Sequence, residues 1–399
     1  MKVLVVGTYL DENLIERYNN LSKSDSKISV AAIKYSKFIY DGFIDNISED
    51  TDQIFLPSIG MYPSCKVFYW SKGKISNIKY IKFINIIFFK QLSICFYLIY
   101  KISLWAFKNR GKQRVVIFTF LYIPFQFSIP FIKFLNKVKF VSFVPDLPEY
   151  GFTYTDNKKT LKSLFIPLYV KLSSWISSFS DFFVFITDHM KVFFPNKDYW
   201  VIEGFTDCDK TDITTQEIVI ESNALMYSGA LYEKFGIDNL LQAYQKTTDD
   251  SELWLFGSGD MVEKIIKASK HDNRIKYFGV KSNSYVRDMQ KKAKILINPR
   301  FSNEEYTKYS FPSKLLEYLS SGTPVLTTRL KGIPSEYNDK FYFITDESVD
   351  GMRMAITTHI NKDKRELVLF GENARKFALD NKNYKIQIKN LIKVISKKL

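Results

Sequence analysis

The chain has 399 residues, enough for two domains of roughly 150–200 residues each. Hydrophobic residues make up 46% and aromatic residues 16%, which supplies two packed cores and excludes a disordered chain. A formal net charge of +15 calls for an anionic partner: nucleic acid, anionic lipid or an anionic substrate.

Residues 3–7 form a short buried-strand pattern, too short for a signal peptide, and Gly7 and Thr8 begin the loop after it. Residues 28–33 and 53–56 read as further strands. Residues 79–108 are apolar apart from single lysines. Wound as one helix, they gather Lys79, Lys82, Lys90, Lys101 and Lys108 within an arc of about 100°. No uncharged run approaches the roughly 18 residues a membrane-spanning helix needs. The pattern therefore predicts a helix lying on an anionic membrane surface, with a buried helix showing one solvated edge as the alternative. Residues 114–120 and 138–144 are strands, and the second leads into Asp146 between Pro145 and Leu147-Pro148. A long helix over 152–176, a strand over 181–187 and residues 200–204 close this half. Residues 206–222 are polar and read as a linker. Cys65, Cys95 and Cys208 form no disulfide or zinc pattern and suit a reducing compartment. No helix-turn-helix, RNP-type or zinc-finger motif accompanies the charge, so nucleic acid is the weakest of the three partners.

From Ala224 the segments LMYSG, ELWLFG, IKYFG, KILIN, PVLTT and FYFIT are each followed by a helical pattern, predicting a doubly wound parallel sheet. Gly257-Ser258-Gly259 lacks the third glycine of a dinucleotide fingerprint and reads as a close-packed turn. Residues 298–329 read strand, loop, helix, strand, with Pro312 in the first helical turn and Gly322-Thr323-Pro324 at its end. Such a loop lies at the carboxyl edge of a parallel sheet, where ligands bind. Lys314 and Glu317, three apart, face one crevice: a cation for a diphosphate beside a carboxylate for ribose hydroxyls, or else a plain surface ion pair. Residues 364–399 are a last long helical stretch.

The stretch Tyr309-Ser310-Phe311-Pro312-Ser313-Lys314, with Glu317 and Gly322-Thr323-Pro324-Val325, resembles the donor-sugar loop of family 4 retaining glycosyltransferases, in particular a subgroup that builds bacterial surface polysaccharides. Glu317 matches the second of that family's two glutamates, and Tyr309 stands where the first, which faces the donor sugar, would be. Residues 228–236 resemble its diphosphate clamp. Gly229 and Lys234 match, Ala230 replaces the arginine, and Lys314 is expected to supply the second cation.

The resemblance implies an α/β chain of the GT-B fold, two Rossmann-like domains facing across a cleft, with the last helix crossing back to the first domain. It implies domains at 1–205 and 206–375 and a crossing helix at 376–399. It further implies retaining transfer from a UDP- or GDP-linked sugar to a lipid-linked saccharide at the cytoplasmic face of the membrane. Asp146, Glu317 and Lys234 are the catalytic candidates. Gly229, Lys234, Val280, Tyr309, Ser310, Phe311, Ser313, Lys314 and Glu317 would bind the donor, with Val280 offering backbone to the base. Gly7, Thr8 and Asp146 would meet the acceptor. No resident metal or cofactor and no nucleic-acid partner are expected. A non-catalytic GT-B partner subunit, favoured by Tyr309 and Ala230, and a nucleotide-sugar epimerase are the alternatives.

Overall fold

The computed structural model describes residues 1–22, 30–135, 137–147, 149, 161–207 and 220–399. The chain folds as two compact units, one of Met1–Phe205 with Tyr384–Leu399 and one of Thr206–Asn383.

The first unit holds a six-stranded parallel sheet of β1 (Lys2–Thr8), β2 (Thr51–Leu56), β7 (Arg114–Phe118), β8 (Lys139–Val144), β9 (Phe182–Phe185) and β10 (Asp198–Val201), in the order β10-β9-β8-β7-β1-β2. Its central strands are continuous apolar runs because both faces are covered, and Val115, Val116, Ile117 and Phe118 are all fully buried. Short antiparallel pairs, β3 (Tyr69–Trp70) with β6 (Phe83–Ile84) and β4 (Lys74–Ile75) with β5 (Ile78–Lys79), lie between β2 and β7 in sequence.

Three expectations are corrected here. The predicted strand at 28–33 is helical from Val30, where α2 (Val30–Ile47) follows α1 (Glu12–Asn20). The β-branched opening imitates a strand. The burial of Ile33, Ser36, Ile39 and Phe43 continues at three- and four-residue spacing, however, and that is a helix face. The helix predicted over 79–108 begins only with α3 (Phe89–Lys108). The buried Gln53 holds the preceding segment extended: its Nε2 donates to the Asn77 carbonyl (2.8 Å) and its Oε1 accepts from the Lys79 N–H (3.0 Å). The predicted lysine stripe dissolves with it. Lys79 pairs with Asp52 (3.5 Å), and Lys90 is buried over the Phe83 ring with its Nζ donating to the Ile59 carbonyl (3.3 Å). Burial pushes the Lys90 pKa down to about 8. Finally, the stretch at 364–399 is two helices, Lys364–Asn381 and Tyr384–Lys398.

After α3 come α4 (Ile123–Leu135) and α5 (Leu161–Ser177), with α4 packed against both neighbours. The part of the predicted helix at 152–160, and most of the predicted linker, lie outside the described residues. No described helix is long and apolar enough to cross a membrane.

The second unit carries β11 (Ala224–Ser228), β12 (Glu252–Phe256), β13 (Ile275–Gly279), β14 (Ile295–Asn298), β15 (Val325–Thr328) and β16 (Tyr342–Ile344), all parallel, in the order β13-β12-β11-β14-β15-β16. All six fall on the segments predicted from the sequence. The order reverses between β11 and β14, so the loops leaving these two strands diverge and open a crevice at the carboxyl edge. That crevice is where the sequence motifs converge.

Candidate active site

The helix Ser313–Ser321 follows the β14 loop and ends at Gly322, in the left-handed region at φ 85°. Tyr318, buried on this helix, fixes it to the end of β11. Its hydroxyl accepts from the Ser228 N–H (2.9 Å) and donates to the Ser228 carbonyl (3.1 Å). That anchor places the exposed side of the helix, with Lys314 and Glu317, over the first crevice loop. Lys314 Nζ lies 3.2 Å from Glu317 Oε2. Gln290, fully buried on the helix Asn283–Lys292, donates from Nε2 to Glu317 Oε1 (2.8 Å) and to Ser228 Oγ (3.1 Å). Glu317 is therefore oriented from two sides while keeping about a third of its surface open (36%). A held carboxylate with lone pairs left over can accept from two adjacent hydroxyls.

The β11 loop runs from Gly229 to the short turn Glu233–Phe235. Its backbone donors are largely spent: Gly229 N–H on the Phe256 carbonyl (3.0 Å), Leu231 N–H on the Ser258 carbonyl (2.9 Å) and Glu233 N–H on Asp260 Oδ1 (3.0 Å). Gly257 has φ 132°, and a Cβ there would stand 1.8 Å from the Gly229 oxygen, so the β12 loop packs backbone to backbone on the β11 loop. The predicted close-packed turn is thus packed on the crevice loop itself. Lys234 is exposed beside the Tyr232 and Phe235 rings, 5.5 Å from each centroid. With these amides spent within the fold, side-chain charge is needed to help meet an anion at this loop.

The other donor candidates surround the same edge. Ser313 is exposed at the helix start, where the first-turn N–H groups and the helix dipole favour a phosphate. Tyr309 is half-buried, its N–H donating to the Tyr306 carbonyl (3.0 Å). The Ser310 hydroxyl is buried with no hydrogen-bond partner among the described residues. Phe311 packs into the core against Tyr337 (5.4 Å between centroids), so only its backbone is left for a ligand. Val280 follows β13 and is exposed.

In the first unit the order likewise reverses, between β1 and β7. Gly7 and Thr8 end β1 there but are buried. A Cβ on Gly7 would lie 2.4 Å from Thr119 Oγ1, and Thr8 donates its hydroxyl to the Leu56 carbonyl (3.1 Å). Asp146 stands two residues past β8, exposed at its rim yet set low among neighbouring atoms, and that desolvation pushes its carboxyl up to about 6. The Tyr35 hydroxyl close by is buried with no partner among the described residues, and burial, then the Asp146 charge, holds its pKa well above the usual phenol range.

Sequence reasoning missed Gln290 and Arg300. Gln290 gives a signal only in hindsight, as a polar residue on the inward face of its helix. Arg300 follows Asn298-Pro299 directly, so its place at the end of a central strand was readable.

The structure resembles that of the Anabaena protein HepE in complex with UDP (TM-score 0.62, 12% identity, all of both chains covered). It is similar to the lipopolysaccharide outer core galactosyltransferase WaaB in its apo form (TM-score 0.58, 15% identity, all of both chains). A sucrose-phosphate synthase from Thermosynechococcus elongatus gives a TM-score of 0.65 at 10% identity over 100% of this chain and 99% of that one. At these identities the likeness is one of fold. Among curated proteins none matches the sequence. Residues 210–377 match glycosyl transferases group 1, the region that carries β11 to β16 and every donor candidate. Residues 210–377 thus carry a glycosyl transferases group 1 domain, and the chain is built on the GT-B fold of these structures.

Proposed function

We propose that the chain transfers a sugar, with retention at the anomeric carbon, from a UDP- or GDP-linked donor to a lipid-linked saccharide during surface-polysaccharide assembly. The observation that carries the donor half is the held Glu317 beside Lys314 at the switch between β11 and β14, with Lys234 on the facing loop. Glu317 takes the ribose hydroxyls. Lys234, Lys314 and the helix start at Ser313 offset the charge that develops on the leaving diphosphate. Val280 and the backbone around Tyr309, Ser310 and Phe311 complete the donor contacts. Asp146 holds the acceptor hydroxyl, with Gly7 and Thr8 shaping the strand end near it, and the leaving phosphate oxygen takes the proton. The side chains and helix start meet the charge in this reading, so no resident metal or cofactor is invoked. HepE has been seen with UDP and with UDP-glucose, which supports trying uridine first.

Thermal unfolding of the whole chain against UDP, GDP, ADP and CMP is the direct test. Stabilisation by one of them is expected, worth about 2.7 kcal/mol at a hundredfold excess over Kd. No shift with any nucleotide would favour the non-catalytic partner subunit that Tyr309 and Ala230 suggest.

The membrane half of the proposal now rests on surface aromatics rather than on a lysine stripe. Helices α3, α4 and α5 each leave an apolar stripe in solvent, among them Phe96 (68% exposed), Phe134 (91%) and Trp175 (60%). So much exposed aromatic surface on adjoining helices, in a chain of charge +15, suits the boundary of an anionic bilayer, at the inner face of the cell membrane in this reading. Co-sedimentation with phosphatidylglycerol vesicles should be strong for the native chain. It should fall about tenfold or more when Phe96, Phe134 and Trp175 are all changed to serine. Equal sedimentation of both proteins would remove this surface from the account.

A further inference from the structure

Arg300 leaves the carboxyl end of β14 two residues after Asn298, at the point where the sheet reverses. Its guanidinium lies over the Phe235 ring, 4.5 Å from the centroid, and Phe235 is the neighbour of Lys234. The two loops are locked together at this place. Gly236, at φ 76°, lies so close to Pro299 that a Cβ would stand 2.0 Å from the Pro299 oxygen. The Tyr227 hydroxyl donates to the Ala230 carbonyl (3.0 Å). Burial pushes the Tyr227 pKa up to about 12, and the Arg300 charge opposes that rise.

What Arg300 lacks is an anion. It is half-buried, forms no ion pair among the described residues, and its Nε is buried without a hydrogen-bond partner there. Half-buried guanidinium groups are ordinarily matched by a carboxylate or a phosphate, because an unmatched one forfeits hydration for nothing. Lys314, the other cation at this edge, already shares its charge with Glu317. In the β11 loop the amides of Gly229, Leu231, Glu233 and Phe235 are spent within the fold.

We infer that Arg300 is a further cation of the donor's diphosphate site beside Lys234 and Lys314, gripping the phosphates across Phe235 from Lys234. Resting on the donor reading above, this assigns to the β14 loop the charge that is missing at Ala230. The planar fork of arginine bridges two phosphate oxygens where a lysine would act as a point charge.

Calorimetric titration of the full chain with UDP and with UMP tests this. Arg300→Gln removes the charge and shortens the side chain while leaving a polar amide at its end. It is expected to weaken UDP binding roughly tenfold to a hundredfold and UMP binding distinctly less. Arg300→Ala should behave alike, and adding Ala230→Arg to it should recover part of the loss, since residue 230 borders the same spot. Native-like thermal unfolding of the unliganded variants guards against a mere loss of fold, and rescue by Ala230→Arg would not be produced by a structural role. A native chain that binds UDP while Arg300→Gln binds it equally well would overturn this inference alone. A native chain that binds neither UDP nor GDP would overturn the donor reading and this inference with it.

Discussion

Changing Glu317 to alanine should remove nearly all the thermal stabilisation that a bound nucleotide gives the native chain. The carboxylate is held by Gln290 and Lys314 and is about a third exposed, so its remaining lone pairs are directed outward to a ligand. Losing hydrogen bonds between a charged acceptor and two hydroxyls weakens binding roughly a hundredfold. At a nucleotide concentration that stabilises the native chain by about 2.7 kcal/mol, the variant should then gain only about 0.4 kcal/mol. The unliganded protein should suffer little. Gln290 keeps its bond to Ser228 Oγ, and Tyr318 keeps the helix fixed to β11. Thermal scans with and without nucleotide separate the two effects. A variant stabilised as much as the native chain would show that Glu317 does not touch the ligand.

Gly236→Ala should cost both stability and donor binding. An alanine at φ 76° carries a left-handed strain of about 1 kcal/mol, and its Cβ would meet the Pro299 oxygen at 2.0 Å. That oxygen is backbone, so the clash is relieved only by parting the β11 loop from the β14 loop, which carries Lys234 away from Arg300. A loss of about 2–4 kcal/mol in the second unit is expected, above strain alone, together with loss of diphosphate binding. Gly111 provides the comparison: its φ is 88°, but a Cβ there meets nothing within 4 Å. Gly111→Ala should show the strain without the loss of binding. Equal behaviour of the two alanine variants in nucleotide titration would refute the view that the Gly236 contact aligns the site.

The second unit was legible because each strand is a short apolar run closed by Gly, Asn or a polar loop, and each helix buries one clear face. Lys314 and Glu317 were found by their spacing, and the structure does bring them together beside the end of β11. The first unit was harder. Residues 79–84 are as apolar as the helix that follows, and what keeps them extended is Gln53, some 26 residues earlier along the chain, through its bond to Lys79. No local pattern encodes that. The opening of α2 misleads in the same way, because a β-branched start outweighs a periodicity that becomes plain only after Ser36. Arg300 was passed over for a different reason. One arginine in a polar loop says nothing until the fold shows that no carboxylate among the described residues comes to meet it.

The helix Tyr384–Lys398 has a consequence for how the protein is made. It belongs to the first unit, where Tyr384 stacks on Phe38 (5.3 Å between centroids) and Ile388 sits against Gly42 of α2. Ile388, Leu391 and Ile395 are part of that unit's core. On the ribosome, then, the earliest 205 residues emerge with a bare apolar groove along α2, and the groove stays open until residues 206–383 have been translated. The second unit is continuous in sequence and needs nothing synthesised after it. Completion therefore runs against the order of synthesis: the later-made half can close first, and the half made first waits for the last helix.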